Sequence, residues 1–348
     1  MLIRRLLSTT ALVTVYLLAF PLTAVAQYAG QEEIAFGMSI PGERGGGSLL
    51  TLLNPAVGRL RLLVNDGVTW LPEAPVAGQS IALSAVQHAF LATFQLWQDS
   101  MNEWSALAAV RSTFMHTDAL LPDSKVPFPD ELWQARFGTT YRHQFANGWI
   151  GGGTLSVGSA SDQPFAHFDD LLVGGMAFLR VPQGTHNAWL FSLAYSPTSE
   201  LPIPLPGVAY AYQPSERLRA VIGLPLALMY RPWDTLMLVG SYMLLRTVYV
   251  RATYRLTTLV HLSVGFAWEN DSYLLADRNR DDDRFFSYDK QVSAGAQIML
   301  GSHVTLHLAG GYIFDRFYFE GEDYSDRHRN RIDVDAGPLA SLQVQVRW

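Results

Sequence analysis

Strict alternation of apolar and polar residues recurs along this chain in segments of about ten residues, and no other feature restricts its fold so much. From Ser341 to Trp348, Leu342, Val344, Val346 and Trp348 share one face, with Ser341, Gln343, Gln345 and Arg347 on the other. From Leu259 to Trp268, Val260, Leu262, Val264, Phe266 and Trp268 oppose His261, Ser263, Gly265 and Ala267. Val248, Val250, Ala252, Tyr254 and Leu256 oppose Tyr249, Arg251, Thr253 and Arg255. Val304, Leu306 and Leu308 oppose His303, Thr305 and His307, and Trp133, Ala135, Phe137, Thr139 and Tyr141 oppose Gln134, Arg136, Gly138, Thr140 and Arg142. Period two is the period of a strand, whose successive side chains point to opposite faces of a sheet.

Alternation alone also fits a soluble sandwich or barrel, so the surroundings decide. Charged residues are only 16% of the chain, against ~25% in an ordinary soluble domain. Yet no run is long enough for a membrane helix: the most apolar stretch, Thr235 to Leu245, is closed by Arg246. In lipid every backbone donor and acceptor must be satisfied internally, which leaves a closed barrel as the remaining way to span. The polar faces are rich in Gly, Ser, Thr, Gln, Arg and His, as a watery lumen requires. Eight of the nine tryptophans (97, 104, 133, 149, 189, 233, 268 and 348) fall near proposed strand ends, where interfacial girdles sit; Trp70 falls outside that pattern. The reading is an all-β, antiparallel transmembrane β-barrel of the outer membrane.

The first residues agree with export. Arg4 and Arg5 precede an apolar run from Leu6 to about Phe20, and Ala24-Val25-Ala26 forms a small-x-small exit. These are the three parts of a secretory signal peptide, with cleavage expected after Ala26. The chain has no cysteine, which excludes disulfides, thiolate metal sites and a lipid-modified cysteine. A net charge of −6 provides no basic footprint for nucleic acid.

Candidate strands lie at 81–97, 100–116, 131–145, 149–159, 169–180, 187–196, 206–212, 217–230, 235–245 and 247–256, with four more to the C-terminus. Residues 206–212 are short and 235–256 also reads as one bent strand, so about twelve strands are expected, within ten to fourteen. The barrel is placed at 81–348. Charged stretches at 269–284 and 320–331 read as outer loops and Gly301-Ser302 as a tight periplasmic turn. Residues 27–80 stay open between a first strand, a plug and a cap, because the leucines of 48–64 fit both helical and strand spacing and Pro55 interrupts a helix.

The stretch Leu201-Pro-Ile-Pro-Leu-Pro-Gly-Val-Ala-Tyr-Ala-Tyr-Gln-Pro-Ser215, then Ile222-Gly-Leu-Pro225 and Val250-Arg-Ala-Thr-Tyr-Arg-Leu256, resembles an uncharacterised family of bacterial outer-membrane proteins. That family carries a domain-of-unknown-function label and occurs in phyla such as Bacteroidetes. The resemblance runs over roughly 80–348 and implies a barrel at the outer membrane, with no catalytic residue or substrate. Trp348, with Val346, Val344 and Leu342 before it, also resembles the terminal signal by which barrel-assembly machinery recognises its clients. The expected partners are therefore that machinery, outer-membrane lipid with its lipopolysaccharide, and a small solute.

Candidate chemistry is sparse. Arg136, Arg142, Arg217, Arg219, Arg251, Arg255 and Arg347 share the inward parity, as do His261, His303 and His307, and together they read as lumen lining. Pairing with lumen acids is one role for the arginines; favouring anions in a pore is the other. His303 and His307 stand two pleats apart, ~13 Å, too far to share a metal. Asp277 to Asp283 alternates acids and amides as calcium loops do, but Asp282 stands where that loop needs glycine and Tyr288 where it needs glutamate. His328 near Asp323 and Asp326 forms no catalytic motif, and no nucleophile elbow, phosphate loop or zinc helix is present, so neither an enzyme nor a cofactor is expected. Val221, Met229, Met237, Val239, Met243 and Leu245 make part of the inner face apolar. The leading expectation is a channel or uptake protein for small solutes; a structural barrel with a filled lumen comes next, and a barrel-embedded lipid or peptide hydrolase last.

Overall fold

The computed structural model describes residues 62–348, apart from 199–202, 244–246, 279 and 281. Residues 1–61, and with them the signal peptide, its cleavage after Ala26 and most of the open segment 27–80, lie outside the described residues.

The alternating segments all become strands. The first six are β1 (Leu63–Pro75), β2 (Ala82–Gln98), β3 (Asn102–His116), β4 (Glu131–Gln144), β5 (Ile150–Ser161) and β6 (Leu172–Gln183). Then come β7 (Asn187–Tyr195), β8 (Leu205–Ser215), β9 (Leu218–Gly223), β10 (Leu226–Trp233), β11 (Leu236–Met243) and β12 (Thr247–Arg255). The last are β13 (Val260–Tyr273), β14 (Arg284–Leu300), β15 (Val304–Gly321), β16 (Ile332–Val334) and β17 (Gly337–Arg347). Sequential neighbours pair antiparallel from β1 to β16, and β1 pairs with β17 from Leu63↔Arg347 to Trp70↔Ala340. That last pairing closes the sheet and leaves no free edge.

β16 and β17 both pair with β15, at Arg316↔Val334 and Ile313↔Gly337, so they are two lengths of one wall strand. Seventeen strands less one gives a sixteen-stranded wall, against the twelve or so expected. The difference has two sources. Residues 63–75, left open by the ambiguous leucines, are the closing strand, so the barrel begins before residue 81. Residues 217–230, which read as one segment, fold back as the hairpin β9–β10 around Leu224 and Pro225. Residues 236–255 are likewise two paired strands, not one bent one.

The short connections 99–101, 145–149, 184–186, 216–217, 234–235, 256–259 and 301–303 all fall at one rim, the turn rim. Both chain ends meet there, since the Trp348 N–H donates to the Leu62 carbonyl at 3.0 Å. The turns are held by local bonds: an Asp99 oxygen accepts from the N–H groups of Met101 and Asn102, each at 2.7 Å. Those bonds, the one from Met101 foremost, hold the Asp99 carboxyl below the usual carboxylate range. The longest connections, 117–130, 162–171, 196–204, 274–283 and 322–331, share the opposite, loop rim.

The outward face carries an apolar belt of residues such as Phe137, Leu155, Phe191, Val250, Val264 and Leu342, all exposed. Trp97, Trp104, Trp149, Trp189, Trp233 and Trp348 edge it at the turn rim. Trp70, Tyr195, Tyr242 and Tyr312 edge it toward the loop rim. Trp70, 55% exposed, thus belongs to a girdle; it escaped the sequence pattern only because its strand did. Such a belt between two aromatic rings is the surface of a barrel that spans a membrane.

Candidate functional site

A sixteen-stranded wall is wide enough to enclose a channel, so what fills the lumen decides what the barrel does. Its loop-rim half is crowded. The β3–β4 connection folds inward, and Ala119, Leu121 and Phe128 pack against inner-face residues from both sides of the barrel, including Leu83, Leu132, Tyr273 and Phe285. The Phe128 ring meets Phe285 and Tyr318 edge-on, with centroids 5.4 and 5.0 Å away. Asn330 latches this loop: its side-chain oxygen accepts from Asp123 N–H and Ser124 N–H at 2.8 Å each, and its amide donates to Glu320 at 2.6 Å. Across the same half, Arg111 on β3 reaches Asp271 on β13 at 3.1 Å, and Ala276 N–H donates to Asp162 at 2.8 Å.

The turn-rim half is polar. One register line runs across the wall from Arg255 through His261, Gln297 and His307 to Gln343. All five side chains share the inward parity, and His261, Gln297, His307 and Gln343 are buried. Gln345 and Arg347 follow on β17, and Arg251 shares the inward parity on β12. Three donors or donor-capable atoms here, His307 Nε2, Gln345 Nε2 and Arg347 Nη2, are buried without a hydrogen-bond partner in the protein. Buried polar atoms are ordinarily paired, so a cluster of unpaired ones is a place for a ligand or ion.

The remaining arginines divide. Arg142 is committed to Glu103, a buried pair at 3.4 Å. Arg136 and Arg219 face inward on β4 and β9, away from the histidine row. Arg251 lies 5.4 Å over the Tyr249 ring, and Arg255 ends β12. Two expectations fail. Arg217 lies in the β8–β9 turn at the rim, where it meets Asp234 at 3.2 Å, because β9 begins only at Leu218 and the parity it shares with Arg219 stops at the strand end. His303 lies in the β14–β15 turn, its Nδ1 on the Arg347 carbonyl at 2.8 Å, so it orients the last strand and lines nothing.

Leu342, Val344, Val346 and Trp348 take the outward parity of β17, with Leu342 and Trp348 exposed. In the loop that resembled a calcium site, Asn279 and Asp281 lie outside the described residues, and Asp283 is held by both guanidinium nitrogens of Arg329 at 3.0 and 2.7 Å. Among the described residues no cluster of His, Asp and Glu fits a metal ion. Val221, Ala227, Met237 and Val239 are buried on the inner face of β9 to β11, which makes that sector apolar as the spacing implied; the side chains of Met243 and Leu245 lie outside the description. Sequence reading missed Gln297, Gln343 and Gln345, since glutamine on a polar face is unremarkable until register stacks it beside a histidine.

The family model of a domain of unknown function, DUF6268, matches residues 98–332. The chain belongs to that family. Among curated proteins none matches it. Among solved structures it is similar to the COG4313 outer membrane channel of Pseudomonas putida F1, at 9% identity and TM-score 0.38, covering 89% of this chain and 100% of that one. It is also similar to the Pseudomonas putida toluene transporter TodX, at 9% identity and TM-score 0.36, covering 83% of this chain and 90% of that one. The beta domain of the Bordetella autotransporter BrkA is similar at 11% identity and TM-score 0.32, with 82% and 98% covered.

Proposed function

We propose that this DUF6268 barrel is an outer-membrane channel for small anionic solutes, narrowed at its loop rim by the 117–130 loop. The observation that carries the reading is the cluster of buried donors without protein partners, His307 Nε2, Gln345 Nε2 and Arg347 Nη2, with Arg251 on the same inner face. A lumen that served only as packing would pair such groups with acids, as it does Arg142 with Glu103. An anion crossing the turn-rim half would meet cationic and amide donors in place of its lost hydration.

The test is conductance of the refolded 27–348 protein in a planar bilayer under a salt gradient. Steady conductance with anions more permeant than cations is expected, and Arg347→Gln with His307→Gln should move the reversal potential toward the cation value. If neither the wild type nor a variant with a loosened 117–130 loop conducts, the channel reading fails. Conductance without anion preference would remove the role given to the cluster.

A further inference from the structure

One polar group sits where a membrane barrel should have none. β1 carries Val64, Asp66, Val68 and Trp70 on the parity that pairs with outward Leu342 and Val344 of β17, so Asp66 points away from the lumen. His88 on β2 lies opposite Val68 and shares that face. The two side chains meet, His88 Nε2 to Asp66 at 2.7 Å, and each is only about a quarter exposed. On the next strand the residue directly opposite His88 is Ser112, and directly opposite Ser112 on β4 is Trp133. Asp66, His88 and Ser112 are therefore consecutive on three neighbouring strands of the outer wall.

Their height is fixed by the girdles. Asp66 lies four residues from Leu62, which bonds Trp348 at the turn rim, and four from Trp70 toward the loop rim. At ~3.3 Å per residue that is ~13 Å of strand either way, within the apolar belt. Ser112 lies eight residues above Trp104 of the turn-rim girdle, beside Trp133 and two residues before Phe114, whose ring meets Trp133 edge-on at 5.5 Å. The trio thus climbs from the middle of the belt to its loop-rim interface. Ionisable groups facing lipid are expensive and are kept for function.

We propose that Asp66, His88 and Ser112 form a nucleophilic site on the membrane-facing wall that cleaves acyl esters of lipids in the adjoining leaflet. The division of labour follows from the geometry. Asp66 accepts the Nε2 proton of His88, which fixes the ring and its tautomer and leaves Nδ1 as the basic nitrogen. Ser112 stands directly opposite His88 on the adjacent strand, where Cβ atoms are ~4.5–5.5 Å apart, which makes it the neighbour of that ring on β3. Ser112 is 2% exposed, sheltered from bulk water, as a hydroxyl that must choose an acyl carbon over water should be. In the reaction the Ser112 oxygen bonds to the ester carbonyl carbon while its proton passes to His88. The carbon–oxygen bond to the lipid alcohol then breaks, and that alcohol leaves with the proton from His88. A water molecule next adds to the acyl-serine, gives its proton through His88 to the Ser112 oxygen, and releases a free fatty acid. The site does not depend on the lumen, so it stands or falls apart from the channel.

The experiment treats the folded barrel, in detergent and in vesicles, with a fluorophosphonate probe and maps the label by mass spectrometry. In parallel, free fatty acid is measured from phosphatidylethanolamine vesicles and, separately, from lipopolysaccharide. Label on Ser112, with hydrolysis that falls at least about a thousandfold in Ser112→Ala and in His88→Gln, is expected. Asp66→Asn should lose activity while unheated gel mobility shows the barrel folded. Activity on one lipid source alone supports the site and names its substrate. Absence of label on Ser112 in the folded wild type overturns the proposal without recourse to any variant, and so does hydrolysis that survives Ser112→Ala.

Discussion

Asn330 is one of the latches on the 117–130 loop, beside Gln79, which bonds both the N–H and the carbonyl of Leu120, and removal of the Asn330 side chain has a calculable effect. Asn330 is buried with a backbone φ of +47°, a left-handed conformation that glycine adopts without strain, so Asn330→Gly removes the side chain and little else. Two neutral hydrogen bonds, to the N–H groups of Asp123 and Ser124, and one to the Glu320 carboxylate disappear. Only the first two join the 117–130 loop, since Glu320 stands on β15, so at ~1 kcal/mol for each neutral bond loop docking weakens by about 2 kcal/mol. Every 1.4 kcal/mol is tenfold, so the undocked population rises about thirtyfold. Phe128→Ala attacks the same docking from its apolar side and costs ~3–5 kcal/mol, most of it loop-specific because the wall strands stay paired. The assay is built into the sequence: the chain has two lysines, Lys125 exposed in this loop and Lys290 within β14, bonded to Asp315 at 2.7 Å. A lysine-specific protease should cut after Lys125 in proportion to the undocked fraction, about thirtyfold faster in Asn330→Gly and a hundredfold or more faster in Phe128→Ala, while Lys290 stays resistant. Equal cleavage rates in wild type and both variants would show that the loop is not held by these contacts, and the narrowing they produce would lose its basis.

Other consequences can be checked singly. Gly158→Ala would drive a Cβ into the Ala135 carbonyl oxygen on β4, so the variant should fail to give the heat-modifiable gel band of a folded barrel; normal folding would mean the β4–β5 approach is looser than described. Asp323 caps a short turn by accepting from Ser325, whose side-chain and backbone bonds hold its carboxyl below the usual range. A depressed folded value means the stabilisation is complete above the ordinary carboxylate pKa of ~3.9 and is lost as pH falls through the lower folded one. The protection factor of the Ser325 amide should therefore fall only below about pH 4, and Asp323→Asn should abolish that dependence; loss of protection at higher pH would contradict the sign. Trp348→Ala should lower the amount of assembled barrel in cells while purified protein still refolds in detergent, and equal loss in both would make Trp348 a structural residue instead of a recognition signal.

How far the sequence could be read depended on which question period two answers. Alternation tells which residues share a face, and most wall strands, their antiparallel order and the outward line Leu342, Val344, Val346 were legible from it. It fails where a segment is apolar on both parities or interrupted. β1 was hidden behind leucines that fit helix and strand alike, and β9–β10 behind residues 217–230, which read as one strand although the chain reverses at Leu224 and Pro225. Arg217 was misplaced because parity stops with the strand: it lies in the turn one residue before β9, while Arg219 keeps the inward face.

The site was less legible than the fold for a related reason: register, not alternation, brings chemistry together, and register needs the partners. His261 and His307 lie 46 positions apart and meet through Gln297 only because β13, β14 and β15 align at that line. Asp66 and His88 are harder still, because each looks like one misfit on an otherwise apolar face, and a lone misfit is usually a strand end. Two misfits that touch across a strand boundary, inside the belt and with a serine opposite, are a different matter. A barrel tolerates inward charge readily, since its lumen supplies water and partners, whereas outward charge within the belt must be offset by something it does. That asymmetry makes the outer wall, where polar residues are few, the more informative face on which to search for chemistry in barrels whose lumens are full of it.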